Sequence, residues 1–255
     1  MRATQTLIGM LRWLTAVALV ATLGAAAMAA EAAPRRVTIA AGQLIGATVA
    51  GISSFQGLPY AAPPVGALRW QPPQPAPAGP GTRNATLVGN ACVQKRGLSL
   101  EGGGDPGPMG EDCLSLNVFT PRADAGARLP VLVWLHGGAL IFGAGGLPLY
   151  DGSALARRGV VVVTVNYRLG PLGFFAHPAL QGPDVAAPMN FGLLDQIAAL
   201  RWIQQNIGAF GGDPARVTLF GQSAGAQSVL ALMASPLAAA AVASPAWGVL
   251  GVPAF

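Results

Sequence analysis

The sequence has 255 residues and a formal charge of +5, yet only 10% of its residues are charged and 52% are hydrophobic. Its basic residues are scattered, the closest pairs being Arg35-Arg36, Lys95-Arg96 and Arg157-Arg158. They form no stripe with interleaved aromatics, so the positive balance reads as surface charge, and a nucleic-acid partner is not expected.

Residues 1–29 have the layout of a signal peptide. Arg2 and Arg12 supply a basic start, residues 13–24 an apolar run, and Ala27-Met28-Ala29 a small-x-small cleavage pattern. The competing reading is an uncleaved membrane anchor, for which the apolar run is short against the roughly 20 residues a bilayer core requires. Export to the periplasm or the medium is therefore expected, with no membrane attachment after cleavage. The remainder is long enough for one α/β domain with a substantial core, and its low charge suits a largely buried parallel sheet.

Residues 37–60 alternate short apolar runs with glycine, which predicts antiparallel strands joined by tight turns. Residues 61–110 are dense in Pro and Gly and read as a long surface excursion. The two cysteines, Cys92 and Cys113, favour a disulfide in an oxidising compartment, with two free buried thiols as the alternative. No third Cys and no His lies near them, which argues against a metal site.

From residue 130 the rhythm becomes that of βαβ units. Val131–Leu135, Gly159–Val165 and Val217–Phe220 are continuous apolar runs of strand type. Between the second and third, Leu193, Ile197, Leu200, Ile203, Ile207 and Phe210 recur at helical spacing. Gly211-Gly212 ends that helix, and Asp213-Pro214 reads as the turn into the next strand. Right-handed crossovers and a parallel sheet follow.

Two segments carry chemistry. His136-Gly137-Gly138-Ala139 directly follows a strand, where a glycine-rich turn can aim backbone N–H groups at an oxygen that becomes negative during acyl transfer. Alone, such a turn is equally well a plain strand exit. The second segment, Gly221-Gln222-Ser223-Ala224-Gly225, lies between a strand and a helix-prone stretch. That context is the nucleophile elbow, in which the serine hydroxyl stands above the sheet edge at a helix N-terminus. The elbow in turn favours the oxyanion reading of the earlier glycine turn.

At this point the chain resembles a known family. FQGLPYAAPPVGALRWQPPQP (55–75), EDCLSLNVFTP (111–121), PVLVWLHGGALIFGAG (130–145), NYRLGPLGFF (166–175) and the long run from NFGLLDQIAAL to FGQSAGAQSV (190–229) resemble the type-B carboxylesterases. These are the cholinesterase-like branch of the α/β-hydrolases. The resemblance spans most of residues 37–237 and implies an α/β-hydrolase fold: a mostly parallel sheet, helices on both faces and antiparallel N-terminal strands. It implies a carboxylic ester hydrolase acting on small-molecule esters through an acyl-serine intermediate, without cofactor or metal. Ser223 would be the nucleophile, and the N–H groups of Gly138, Ala139 and Ala224 the oxyanion hole. Cys92 and Cys113 match the family's first disulfide, while Arg69–Glu111 and Arg168–Asp195 match ion pairs of the scaffold. The sequence departs from the family at Ala139 (usually Gly), Gln222 (more often Glu) and Ala62 (usually polar).

The family's chain order is serine, then acid, then histidine. After Ser223 this sequence has no Asp, Glu or His, and its two histidines are His136 and His177. Residues 238–255 match no continuation of the family and read as a frameshifted or fragmentary tail. The expectation is a chain with little or no turnover by itself, an uncovered sheet edge and an exposed apolar surface. The rival readings are a non-catalytic binding protein on the same scaffold and a pseudogene product. Ester specificity and oligomeric state are not legible.

Overall fold

The computed structural model describes residues 33–77, 79, 81–96, 104–180, 188–241 and 251–252. The proposed signal peptide and most of the unmatched tail lie outside them. Strands β1 (Ala33–Ile39), β2 (Gly42–Val49) and β3 (Ile52–Pro59) come from the glycine-punctuated region. β2 and β3 pair antiparallel. Short strands β4 (Thr82–Asn84), β5 (Ala91–Cys92) and β6 (Met109–Gly110) follow within the Pro/Gly-rich excursion, and β4 joins the main sheet beside β2.

The central strands are β7 (Ser115–Thr120), β8 (Leu129–Leu135), β9 (Val161–Val165), β10 (Gly212–Gln222) and the two-residue β11 (Gly251–Val252). The order across the sheet is β1-β2-β3-β7-β9-β8-β10-β11. β9 is VVVTV and is buried along its whole length, as a strand with neighbours on both edges and both faces should be. It pairs antiparallel with β7 and parallel with β8, and β8 pairs parallel with β10. Both parallel connections thus come from the apolar runs of the sequence.

The helices are α1 (Ser153–Ala156), α2 (Gly170–Gly173), α3 (Phe191–Asn206), α4 (Ala224–Met233) and α5 (Pro236–Ala239). On one sheet face Val131, Val133, Val163 and Val165 share a core with Ile197, Leu200, Ile203, Val229 and Leu232 of α3 and α4. On the other, Phe119 and Val162 pack with Ala156 of α1.

Three local readings change. Leu193 is only half-buried, while Asp195 and Gln196 of the same helix are buried. Residues Ile207–Phe210 tighten into a 3₁₀ turn, which closes on Gly211 at φ 86°. Asp213-Pro214 lies inside the long strand β10, whose register with β8 shifts between Gly212 and Val217. The disulfide joins Cys92 to Cys113.

Candidate active site

Parallel pairing puts the C-terminal ends of β8, β9 and β10 on one edge: Leu135 lies opposite both Val165 and Gly221. Residues that leave these strands therefore converge where open α/β sheets present their crevice.

β10 ends at Gln222, and Ser223 takes φ 54°, ψ −121°, a conformation few non-glycine residues adopt. α4 starts at once, and the carbonyl of Ser223 accepts the N–H of Gln227 at 3.0 Å. The flanking glycines are steric necessities. A Cβ on Gly225 would lie 2.0 Å from the Leu135 carbonyl oxygen, and one on Gly221 would lie 2.7 Å from the same oxygen. Backbone crowding thus forces the reversal that exposes the serine. Ala224 is the first residue of α4, so helix geometry gives its N–H no acceptor four residues back.

The His136–Leu140 turn lies against this elbow. A Cβ on Gly137 would stand 2.8 Å from the Gln222 carbonyl oxygen and 3.2 Å from the Ser223 Cβ. Gly138, Ala139 and Leu140 all have positive φ, of 110°, 52° and 62°. The Gly138 carbonyl accepts the N–H of Ile141 at 2.9 Å and of Phe142 at 3.1 Å. The N–H groups of Gly138 and Ala139 donate to no acceptor among the described residues. Two unspent donors thus lie in the turn whose Gly137 abuts the strained serine, an arrangement suited to holding an oxyanion.

His136 is fixed in place, and its Nε2 is buried without a hydrogen-bond partner, so it makes no bond to Ser223. Its ring is buried, Nδ1 donates to the Gly137 carbonyl at 2.8 Å, and the ring stacks on Tyr167 with centroids 4.4 Å apart. Burial pushes its pKa down to about 4, so it is neutral at ordinary pH. The Tyr167 hydroxyl donates to the His136 carbonyl at 2.6 Å. His177 is exposed, and its Nδ1 accepts the N–H of Ala179 at 3.1 Å.

Side chains that local sequence patterns do not reveal hold the far end of the turn. Gln94 accepts the Gly143 N–H and donates to the Gly143 carbonyl, both at 2.8 Å. Asn166 accepts the Gly145 N–H at 2.7 Å and donates to the Asn90 carbonyl at 2.9 Å.

The charged pairs lie in the scaffold. Arg69 Nε meets Glu111 at 2.6 Å. The buried Arg168 reaches Asp195 through Nε at 2.8 Å, Nη2 at 2.7 Å and its own backbone N–H at 3.0 Å. Burial raises the Asp195 pKa, and these three donors oppose the rise. Among the described residues no group of three or more His, Cys, Asp or Glu side chains is placed to hold a metal ion. No helix among them is long and apolar enough to cross a membrane.

A family model described as the carboxylesterase family matches residues 33–244. The fumonisin B1 esterase of Sphingopyxis macrogoltabida is 49% identical over 74% of this chain and 35% of its own length. The para-nitrobenzyl esterase of Bacillus subtilis (strain 168) is 48% identical over 79% of this chain and 41% of its own. Among solved structures, a carboxylesterase of Geobacillus stearothermophilus superposes with a TM-score of 0.74 at 43% identity, over 84% of this chain and 43% of that one. The chain thus spans about two-fifths or less of the curated relatives just named.

Proposed function

The chain belongs to the carboxylesterase family, and on that premise we propose that it carries the nucleophile and oxyanion donors of a serine ester hydrolase acting on small-molecule carboxylic esters. The carrying observation is the junction of Ser223, held at φ 54°, with the unspent N–H groups of Gly138 and Ala139. In this reading Ser223 Oγ adds to the ester carbonyl carbon while a base removes its proton. The negative oxygen settles on the N–H groups of Gly138, Ala139 and Ala224, and collapse expels the alcohol, which takes up a proton. Water then adds to the acyl-serine, and the carboxylic acid leaves as the serine recovers its proton.

The base and its orienting acid must come from outside residues 224–255, which contain no Asp, Glu or His. His136 is unsuited to the role because its free nitrogen, Nε2, is buried without any hydrogen-bond partner, Ser223 included, and burial holds its pKa down to about 4. The chain alone is therefore expected to hydrolyse esters only slowly, through the oxyanion donors. The Cys92–Cys113 disulfide and the signal-like residues 1–29 support export. The decisive test is a fluorophosphonate probe followed by peptide mapping. A slow adduct, quickened at high pH where the hydroxyl ionises without a base, is expected on Ser223 and not on any other serine, and is absent in Ser223→Ala. Labelling that is indifferent to this substitution would remove Ser223 as nucleophile and favour a non-catalytic binding scaffold.

A further inference from the structure

The glycine turn that carries the oxyanion donors is strained. Ala139 and Leu140 hold φ of 52° and 62° without being glycine, a backbone state that persists only where its surroundings over-determine it. The turn also packs closely on itself. A Cβ on Gly138 would lie 2.1 Å from the Phe142 carbonyl oxygen, and one on Gly143 would lie 2.7 Å from the Gly137 carbonyl oxygen. A shift at Gly143 therefore passes to Gly137 and Gly138 with little slack. Three amide side chains from distant segments hold residues 143–145 by their main chain. Gln94 takes both the N–H and the carbonyl of Gly143. Asn166, directly after β9, accepts the Gly145 N–H at 2.7 Å, and Asn117 of β7 donates to the Gly145 carbonyl at 3.4 Å. The two asparagines have further partners elsewhere: Asn166 donates to the Asn90 carbonyl, and Asn117 bonds Thr164 and the Gly57 N–H. Gln94 differs. Among the described residues its amide meets, besides Gly143, only the Cys92 carbonyl two positions back.

We propose that Gln94 is a positioning residue for ester hydrolysis: by bracing Gly143 it keeps Ala139 and Leu140 at positive φ, and so keeps the N–H groups of Gly138 and Ala139 aimed at the oxyanion. The inference rests on the roles given to Ser223 and these donors under the proposed function. Strain is the reason a brace is needed. When φ of Ala139 relaxes towards the common negative region, the peptide plane that carries its N–H turns with it and the donor swings away. The start of the turn is fixed by the Tyr167 hydroxyl on the His136 carbonyl, and its apex by the Gly170 N–H, which donates to the Leu140 carbonyl at 2.7 Å. Gln94 closes the remaining end. Its amide spans the donor and the acceptor of one residue, which resists rotation there better than a single bond would. It also carries no charge, so it adds none beside the developing negative oxygen at any pH. Misplacing a catalytic group by about 1 Å costs on the order of 100-fold in rate, so a modest relaxation of the turn is enough to matter.

The test is the rate at which a fluorophosphonate labels Ser223 in the full 255-residue chain, measured in native buffer over a series of pH values. The phosphonyl oxygen occupies the place of the oxyanion, so the rate reports the donors. Gln94→Met keeps the length of the side chain and removes its amide, and labelling is expected to fall by about 10-fold to 100-fold. The fall should be the same at every pH, because Gln94 does not titrate and the ionisation of the serine is untouched. Gln94→Asn, whose amide is one methylene too short, should show the same loss and serves where the methionine variant does not fold. Ile52→Ala is the control for stability alone. Ile52 shares a core with Phe119 and Val162, apart from the turn, so this variant should unfold at lower urea yet label at the parent rate. Labelling of the Gln94 variants at the parent rate overturns the proposal and leaves Gln94 a purely structural residue. An equal fall in Ile52→Ala also overturns it, as does a loss that changes with pH. A parent chain that takes no label at Ser223 removes the proposed function itself, and the assignment of Gln94 with it.

Discussion

The side-chain amide of Gln94 grips the main chain of Gly143 with both of its ends, accepting the N–H and donating to the carbonyl, each at 2.8 Å. These residues are 49 positions apart. The contact fixes the far end of the glycine turn to a segment that begins two residues after Cys92. Gly143 itself has φ 111°, and a Cβ there would lie 2.4 Å from His136 Nδ1, so the turn has little room to settle elsewhere. Gln94→Ala leaves a partly buried N–H and C=O unmet and is expected to cost about 2 kcal/mol. Urea denaturation measures the loss. Hydrogen exchange at the Gly143 amide should quicken more than exchange in β9, which shares no bond with Gln94.

The disulfide is expected to act on the same turn from one step further away. It closes a separation of 21 residues, and removing such a link costs about 3 kcal/mol through the freed unfolded chain. Cys92 also supplies a carbonyl that accepts from Gln94 Nε2 at 3.0 Å. The Cys92→Ala/Cys113→Ala variant should therefore be less stable and also show faster exchange at Gly143. Combined with Gln94→Ala, its effect on that amide should fall short of additive, because both changes release one contact. Full additivity would show that the disulfide and the turn are independent.

His136 gives the fold a pH dependence of known sign. Its folded pKa of about 4 lies below the 6.5 of a free imidazole because the ring is buried. The unfolded chain thus takes up a proton through a range in which the folded chain does not, so this residue's contribution is complete above the unfolded value and is lost as pH falls. Between about pH 7 and about pH 5 the loss is about 2 kcal/mol. Asn in place of His136 can still donate to the Gly137 carbonyl but does not titrate. Comparing urea stability of His136→Asn and the parent at both pH values isolates the term; equal slopes would assign it elsewhere.

What could be read in the sequence was what depends on neighbours along the chain. The strand runs at Val131–Leu135 and Val217–Phe220, the helical spacing from Ile197 to Ile203, and the glycines around Ser223 are local patterns, and each lies in the corresponding element. β7 was not legible as a strand. Its sequence SLNVFT has a polar Asn117 at its centre, which is buried because its amide donates to Thr164 of β9 at 3.0 Å. The anchoring of the turn was hidden for the same reason. Gln94, Asn166 and Tyr167 find their partners only after folding brings distant segments together. Polar side chains of this kind give no periodic signal, although together they hold the glycine turn against the elbow.

Ser223 shows how such a site is held at a cost to stability. Its φ of 54° with ψ −121° is imposed by the crowding of Gly221 and Gly225 against Leu135, and a side chain in that region costs about 1–3 kcal/mol. Ser223→Ala keeps the Cβ and hence the strain, so its stability should stay near that of the parent. Ser223→Gly removes the strain but adds freedom to the unfolded chain worth about 0.5–1 kcal/mol. The glycine variant should thus unfold at a higher urea concentration than the alanine variant, by about 1 kcal/mol in stability. Equal midpoints would mean that the elbow is relaxed. A gap of this sign would mean that the fold spends stability to hold a hydroxyl, rather than hydrogen, at the one position where β10 turns into α4.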